Sequence, residues 1–276
     1  MFGIDRQVYY RKKSRVELNR DKASIVISLV KELRMLMPRI GTRKLYYKLK
    51  GQLSVLNIGR DKLFNILKAN HLLIQPKRTY QITTNSNHHL YKHKNIIKDL
   101  HIHKPNQVWV SDITYIGTRQ KPCYLSLITD VYSKKIVGYD VSNSLDSNGV
   151  CRALNLAIKL SKVKLNELIH HSDRGLQYCS KDYQKILNKQ SIKCSMTNNG
   201  DPYENAIAER INGILKQEFA IDSYNLELSV MKKLIKQIVD IYNNFRPHWS
   251  NYMMTPNQMF NTQNIVFREY KKTVAN

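Results

Sequence analysis

Apolar residues recur at helical spacing over residues 22–37, KASIVISLVKELRMLM, where Ile25, Leu29, Leu33 and Leu36 share one face and Pro38 ends the run. Gly41-Thr42 opens a second short helix through Tyr46 and Leu49, and Gly59-Arg60-Asp61 opens a third with Leu63, Ile66 and Leu67 on one side. From Val108 the period changes to that of strands. VWVSDITYI, CYLSLITDVYS and KKIVGYDVS are three consecutive runs rich in Val, Ile and Tyr with short connections, which predicts an antiparallel meander. A helix from Asn148 to Leu160, a strand over Leu168–His171, a helix in SKDYQKILNKQ, a strand in IKCSM and a helix in YENAIAERINGILKQEF complete the series.

Three strands followed by helix, strand, helix, strand, helix is the order of a ribonuclease-H-like fold. The expected class is α/β: a mixed sheet flanked by helices, preceded by a small all-α, helix-turn-helix-like domain. Three segments follow from this. Residues 1–75 form the helical DNA-binding region. Residues 76–107 are a basic, histidine-rich linker expected to be solvated and to track a phosphate backbone. Residues 108–276 form the core with a C-terminal helix and tail. His88, His89, His93, His101 and His103 lie in the linker without the C-x-x-C that a zinc site would pair with them.

A chain of 276 residues with 42% hydrophobic residues is long enough for about two domains. It contains no run of about 18 apolar residues and no apolar centre near its N-terminus, so the expected location is the cytoplasm. Cys123, Cys151, Cys179 and Cys194 are widely spaced and are expected to be ordinary reduced residues. Charge changes the picture more. The formal net charge is +24, and 23 of the 45 basic residues but only 6 of the 21 acidic ones precede residue 108. Such a footprint points to a polyanion, and nucleic acid is favoured over a membrane because no basic helix with bulky aromatics on an apolar face supports the latter. Arg43, Lys44, Arg60 and Lys62, near the helix starts, are the candidate DNA contacts of the helical region.

Three carboxylates carry the candidate chemistry. Asp112 interrupts an apolar strand, Asp173 ends another, and Glu209 lies off the apolar seam of its helix on the side shared by Asn205, Asn212, Gly213 and Lys216. In a ribonuclease-H-like sheet the first and fourth strands are neighbours, which would bring Asp112 beside Asp173, and the later helix would carry Glu209 to the same edge. Three such groups repel one another and suit a hard cation, Mg²⁺ or Mn²⁺. Two such ions about 3.5–4 Å apart activate one oxygen and stabilise another at phosphorus.

These residues resemble the DDE core of the retroviral-integrase superfamily, and nearly the whole chain resembles the second-frame (OrfB) product of the insertion sequence 3 family of bacterial transposases. The resemblance rests on WVSDITYI, HSDRGLQY, the thirty-five residues between Asp173 and Glu209, ENAIAERINGILKQE with Lys216 seven positions after Glu209, YNNFRPH, Thr255-Pro256 and the N-terminal GTRKLYYKL. Where that family commonly has Asp-Asn-Ala, this chain has Glu204-Asn205-Ala206. The resemblance implies cleavage and joining of element ends with Asp112, Asp173 and Glu209 as metal ligands. It also implies DNA contact by Lys216, a multimer on paired ends, and a first-frame DNA-binding product as partner. For Arg246 and His248 the expectation is DNA contact or pinning of the final helix. A nuclease of the same fold without strand transfer, and a non-catalytic DNA-binding regulator derived from a transposase, are the competing readings.

Overall fold

The computed structural model describes residues 6–75, 91–118, 120–161, 165–198 and 205–262. The helical region contains α1 (Arg6–Leu36), α2 (Thr42–Lys48), α3 (Lys50–Val55) and α4 (Arg60–Ala69). Helix α1 starts well before the apolar period does. No Gly or Pro interrupts residues 6–37, and the Arg, Lys, Glu and Leu residues of its first half are good helix formers. The helix expected from Gly41 ends at Lys48, and α3 follows after the single residue Leu49.

Strands β1 (Val108–Gly117), β2 (Pro122–Asp130) and β3 (Ile136–Ser142) form the expected antiparallel meander. Next come α5 (Ser147–Leu160), β4 (Ile169–Ser172), α6 (Leu176–Cys179), α7 (Lys181–Lys189) and β5 (Lys193–Met196). Three further helices follow: α8 (Ala206–Phe219), α9 (Leu228–Asn244) and α10 (Pro256–Asn261). The sheet order is β3-β2-β1-β4-β5, with β4 and β5 parallel to β1, and this is the ribonuclease-H-like arrangement.

Alternation along β1 explains how the two sheet faces are covered. Trp109 and Ile113 point to the face on which α5 and α7 pack through Val150, Leu154, Ala157, Tyr183 and Leu187. Val108, Val110 and Ile116 point to the face occupied by α8. Gly138 lets α5 sit directly on β3, because a Cβ there would lie 2.3 Å from the Ala153 carbonyl oxygen.

The core on the α8 side does not stop at the sheet and its helices. Val26 and Val30 of α1, Ile40, Leu45, Leu53 and Leu63 belong to the same apolar cluster as Ile211, Ile214 and Phe219 of α8 and Ile235 and Ile238 of α9. The helical region is therefore packed against the α/β region.

Residues 91–107 differ from the expected solvated linker. Ile97 and Ile102 pack against Val108, Val110 and Ala208. The Ile96 amide donates to Ser195 Oγ at 3.1 Å, and the Lys94 carbonyl accepts from the Met196 amide at 3.4 Å. The segment thus hydrogen-bonds to β5, while Ile97 and Ile102 supply its apolar contact to β1 and α8. Residues 76–90, including His88 and His89, lie outside the described residues. All four cysteines are free, and no described helix is long and apolar enough to cross a membrane.

Candidate active site

Register places the two aspartates. Ser111 of β1 pairs with Ser172 of β4, so Asp112 and Asp173 are the next residues on two adjacent parallel strands. Asp112 has the parity of Val108 and Val110, which turns its side chain toward α8. There the Asn212 side-chain amide donates to its Oδ2 at 2.7 Å, while the Ile113 amide donates to its Oδ1 at 2.9 Å. Asp173 lies just past the end of β4, where its Oδ1 accepts from the Gly175 amide at 3.0 Å. A Cβ at Gly175 would lie 3.1 Å from that same oxygen, so the residue is small where the chain turns closely around the carboxylate.

Glu209 projects from the first turn of α8 and is exposed. The three carboxylates nevertheless act on one another. Burial pushes the half-buried Asp112 up to about 7, with the charge of Asp173 the next cause; Asn212 and the Ile113 amide oppose the rise, and Glu209 adds to it. Burial, then Asp173, raises Glu209. Lys216, two turns beyond Glu209, is half-buried. Burial lowers its ammonium, against which Asp222 and Asp112 favour the charged form.

Among the described residues no three His, Cys, Asp or Glu side chains form a closed metal-holding group. The chemistry of the donor set still fits a hard divalent cation: three carboxylates from three elements, two of them adjacent, with Asp112 and Glu209 both driven toward the neutral form by burial and by the charge of Asp173. Asp112 and Asp173 are fixed by backbone amides, whereas Glu209 stands at the exposed rim.

The residues just beneath the site are structural. Asn205 donates to the Ser111 carbonyl at 3.1 Å and ties the start of α8 to β1. Tyr183 Oη is 2.8 Å from His170 Nε2, and His171 Nδ1 is 2.8 Å from Ser195 Oγ. Burial, then the neighbouring His171, drives His170 down to about 3, so it is a neutral core group.

Residues 102–202 match a family described as Integrase core domain, and residues 190–256 match a second family of the same description. The insertion element IS600 uncharacterized 31 kDa protein of Shigella sonnei is 33% identical over 255 residues, which cover 90% of this chain and 92% of that one. Transposase InsF for insertion sequence IS3fB of Escherichia coli strain K12 is 30% identical over 201 residues, 72% of this chain and 69% of that one. The chain belongs to the insertion sequence 3 family of DDE transposases. A solved structure titled as the HTLV-2 integrase catalytic core domain in complex with magnesium aligns at 22% identity and a TM-score of 0.45, covering 57% of this chain and 97% of that one.

The residues of this transposase that were expected at DNA separate into two groups. Arg43, Arg60 and Lys62 are exposed, with Arg60 Nε 3.0 Å from the adjacent Asp61. Lys44, Arg246 and His248 are turned inward instead. Arg246 is 1% exposed and donates through Nε and Nη2 to the two carboxylate oxygens of Glu218, at 2.8 and 2.7 Å. Lys44 Nζ reaches the same carboxylate at 2.5 Å.

His248 is buried, its ring 5.2 Å from that of Tyr242, and burial followed by the Arg246 charge lowers it to about 2. A neutral, enclosed imidazole and a guanidinium paired to a carboxylate present no charge to a phosphate. At Lys44 the DNA-contact expectation gives way, and at Arg246 and His248 the burial and contacts are those of the pinning alternative, so that the group acts as a clamp. It joins α2 to α8 and to the turn after α9, and the Arg39 amide adds a bond to the Glu218 carbonyl at 2.9 Å.

Asn212 and Asn205 are the site residues that the sequence reading left without a role. Both were placed on the open side of α8 with Glu209, yet both are buried. The available signal for Asn212 was its position three residues after Glu209, which on a helix puts the two side chains on one face.

Proposed function

We propose that this transposase cleaves and joins the ends of its insertion sequence by phosphoryl transfer at Asp112, Asp173 and Glu209, with Mg²⁺ or Mn²⁺ as cofactor and two ions per site. The observation that carries the reading is the register that sets Asp112 and Asp173 side by side at β1 and the end of β4, with α8, which bears Glu209, tied to Asp112 through Asn212. Bound divalent ions would supply activation of an attacking oxygen and stabilisation of the leaving oxygen at phosphorus.

The remaining roles belong to this chain's own groups. Asn212 and the Ile113 amide hold both oxygens of Asp112, so that its remaining lone pairs are oriented before any ligand arrives. The Gly175 amide does the same for Asp173. Glu209, exposed and on the first turn of α8, completes the set from the side open to DNA. Lys216 on the same helix neutralises a phosphate of the element end, and Arg43, Arg60 and Lys62 take further backbone phosphates along the helical region. A multimer on paired ends and a first-frame DNA-binding product of the same element are the proposed partners.

The test is incubation of the chain with a labelled element end and Mn²⁺. Joined products are expected from the parent, and Asp173→Asn is expected to bind DNA without joining it. Cutting without joining would replace the reading by a nuclease. Binding without cutting would replace it by a regulator.

A further inference from the structure

Of the two tryptophans in the chain, Trp109 is 1% exposed and Trp249 is 75% exposed. Trp249 opens the 3-10 turn Trp249–Asn251, which is firmly held. Asn251 is fully buried and donates to the Ser133 carbonyl at 2.6 Å. The amides of Asn251 and Met253 donate to the His248 carbonyl at 3.1 and 2.8 Å, and the His248 amide donates to the Met254 carbonyl at 3.0 Å. Tyr252 and Met253 then adopt φ of 54° and 65°, a left-handed backbone that side chains other than glycine seldom take up. Strain retained on a well-anchored turn is a feature that clusters at ligand sites. Here the anchored, strained turn holds an indole out in water.

Trp249 is one of the residues lining a cavity of about 490 Å³ between this turn and the helical region, together with Arg43, Phe64, Leu73, Ile74 and Met253. Further aromatic surface lies on either side of the turn. Phe245 is 45% and Tyr252 is 55% exposed, and Lys48 Nζ stands 5.8 Å from the centre of the Phe245 ring. Arg43 is exposed, whereas its neighbour Lys44 is tied to Glu218.

Exposed aromatic faces interleaved with cations are the recognition chemistry of unpaired nucleic-acid bases: rings stack and cations meet the adjoining phosphates. A base inside a duplex has both faces covered by its neighbours, so an indole gains little from it. A second copy of this chain is a poorer occupant, because the exposed Arg43 lines the cavity and each copy has a net charge of +24.

We propose that the cavity between α2 and the Trp249 turn receives an unpaired DNA base, with Trp249 as the stacking platform and Arg43 as the partner of the adjoining phosphate. The inference rests on DNA being the substrate, and it adds a site for a strand end or frayed base apart from the carboxylates.

The experiment is a fluorescence titration of the full chain in EDTA with a short single-stranded oligonucleotide and, separately, with a blunt duplex of the same length. Trp109 is enclosed, so quenching on addition of the single strand reports Trp249. Quenching is expected for the single strand and little for the duplex. By anisotropy of a labelled strand, Trp249→Ala is expected to weaken single-strand binding roughly five- to hundredfold, and Trp249→Phe to restore much of it. Duplex affinity should stay within about twofold, because phosphate charge dominates it.

Unchanged single-strand affinity in Trp249→Ala would overturn the proposal. So would failure of the parent to bind single strands while it binds duplex, an outcome that leaves the transposase reading intact. Loss of a multimer in Trp249→Ala, read by light scattering, with oligonucleotide affinity unchanged would assign the face to protein contact instead. Binding is measured without metal, so failure of the cleavage assay and failure of this proposal are separately visible.

Discussion

Replacing Arg246 with methionine removes the guanidinium that holds Glu218 while keeping most of the volume of its stem. Two charge-assisted hydrogen bonds, 2.8 and 2.7 Å long, are lost from a side chain that is 1% exposed. Breaking a buried pair by removing one partner costs about 3–5 kcal/mol, because the other charge is left enclosed. Lys44 remains on Glu218, and its side chain is 20% exposed, so the expected loss is nearer about 2–3 kcal/mol.

Pairing Arg246→Met with Glu218→Leu removes both enclosed charges and leaves Lys44 able to reach water, so the double variant should recover to within about 1 kcal/mol of the parent. Glu218→Leu alone leaves the enclosed Arg246 charge unpaired and should cost about 3–5 kcal/mol, so the coupling energy from the double-mutant cycle is about 4 kcal/mol or more. Urea unfolding at pH 7 followed by far-ultraviolet circular dichroism measures all four proteins.

The same clamp predicts a pH dependence. Burial alone would raise Glu218, but Arg246 and then Lys44 hold its carboxyl below the ordinary value of 4.5. A carboxyl lowered on folding stabilises the protein fully above its unfolded pKa. That stabilisation is lost as pH falls through the folded pKa. The difference between the parent and Glu218→Gln should therefore be constant near neutrality and shrink below about pH 4.5. The reasoning is refuted if Arg246→Met unfolds within about 0.5 kcal/mol of the parent while its DNA affinity loses about 0.9 from the salt slope, the signature of one missing phosphate contact.

Two further predictions concern α8. Asn212→Leu removes the donor to Asp112 Oδ2, and second-layer partners of metal ligands typically contribute about 10–100-fold to affinity or activity. Mn²⁺ affinity and single-turnover cleavage should both fall in that range, with unchanged DNA affinity, and an unaltered Mn²⁺ affinity would remove Asn212 from this role. Lys216→Ala should lose about 0.9 from the salt slope of duplex binding yet cleave when saturated with DNA, whereas Glu209→Gln should bind and fail to cleave. Exchange of those two phenotypes would mean that the catalytic carboxylate has been misplaced on this helix.

Periodicity, read with the element order of a ribonuclease-H-like fold, determined most of the architecture that carries the candidate site. The change from helical spacing to alternation at Val108 marked the start of the sheet, and the order of strands and helices pointed to β1 beside β4. That neighbour relation is enough to bring Asp112 and Asp173 together, because a carboxylate at the end of a strand moves wherever its strand pairs. Glu209 was legible for a related reason, as its offset from the isoleucine stripe of α8 depends only on helix pitch.

What the tertiary structure decided is which polar groups meet across long separations. Lys44 and Glu218 are 174 positions apart, and a basic residue near a helix start reads the same whether it faces a phosphate or a carboxylate. Arg246 looked like a cation beside a proline and became part of the core once α9 and α8 closed around it. Asn212 sits on the polar side of α8, but that side lies over Asp112, so it is buried there. Ile97 and Ile102 were too sparse to show a period, and they pack because Val108 and Val110 of β1 and Ala208 of α8 offer an apolar patch. Local spacing establishes which face a side chain occupies; the packing of elements distant in sequence establishes what that face meets.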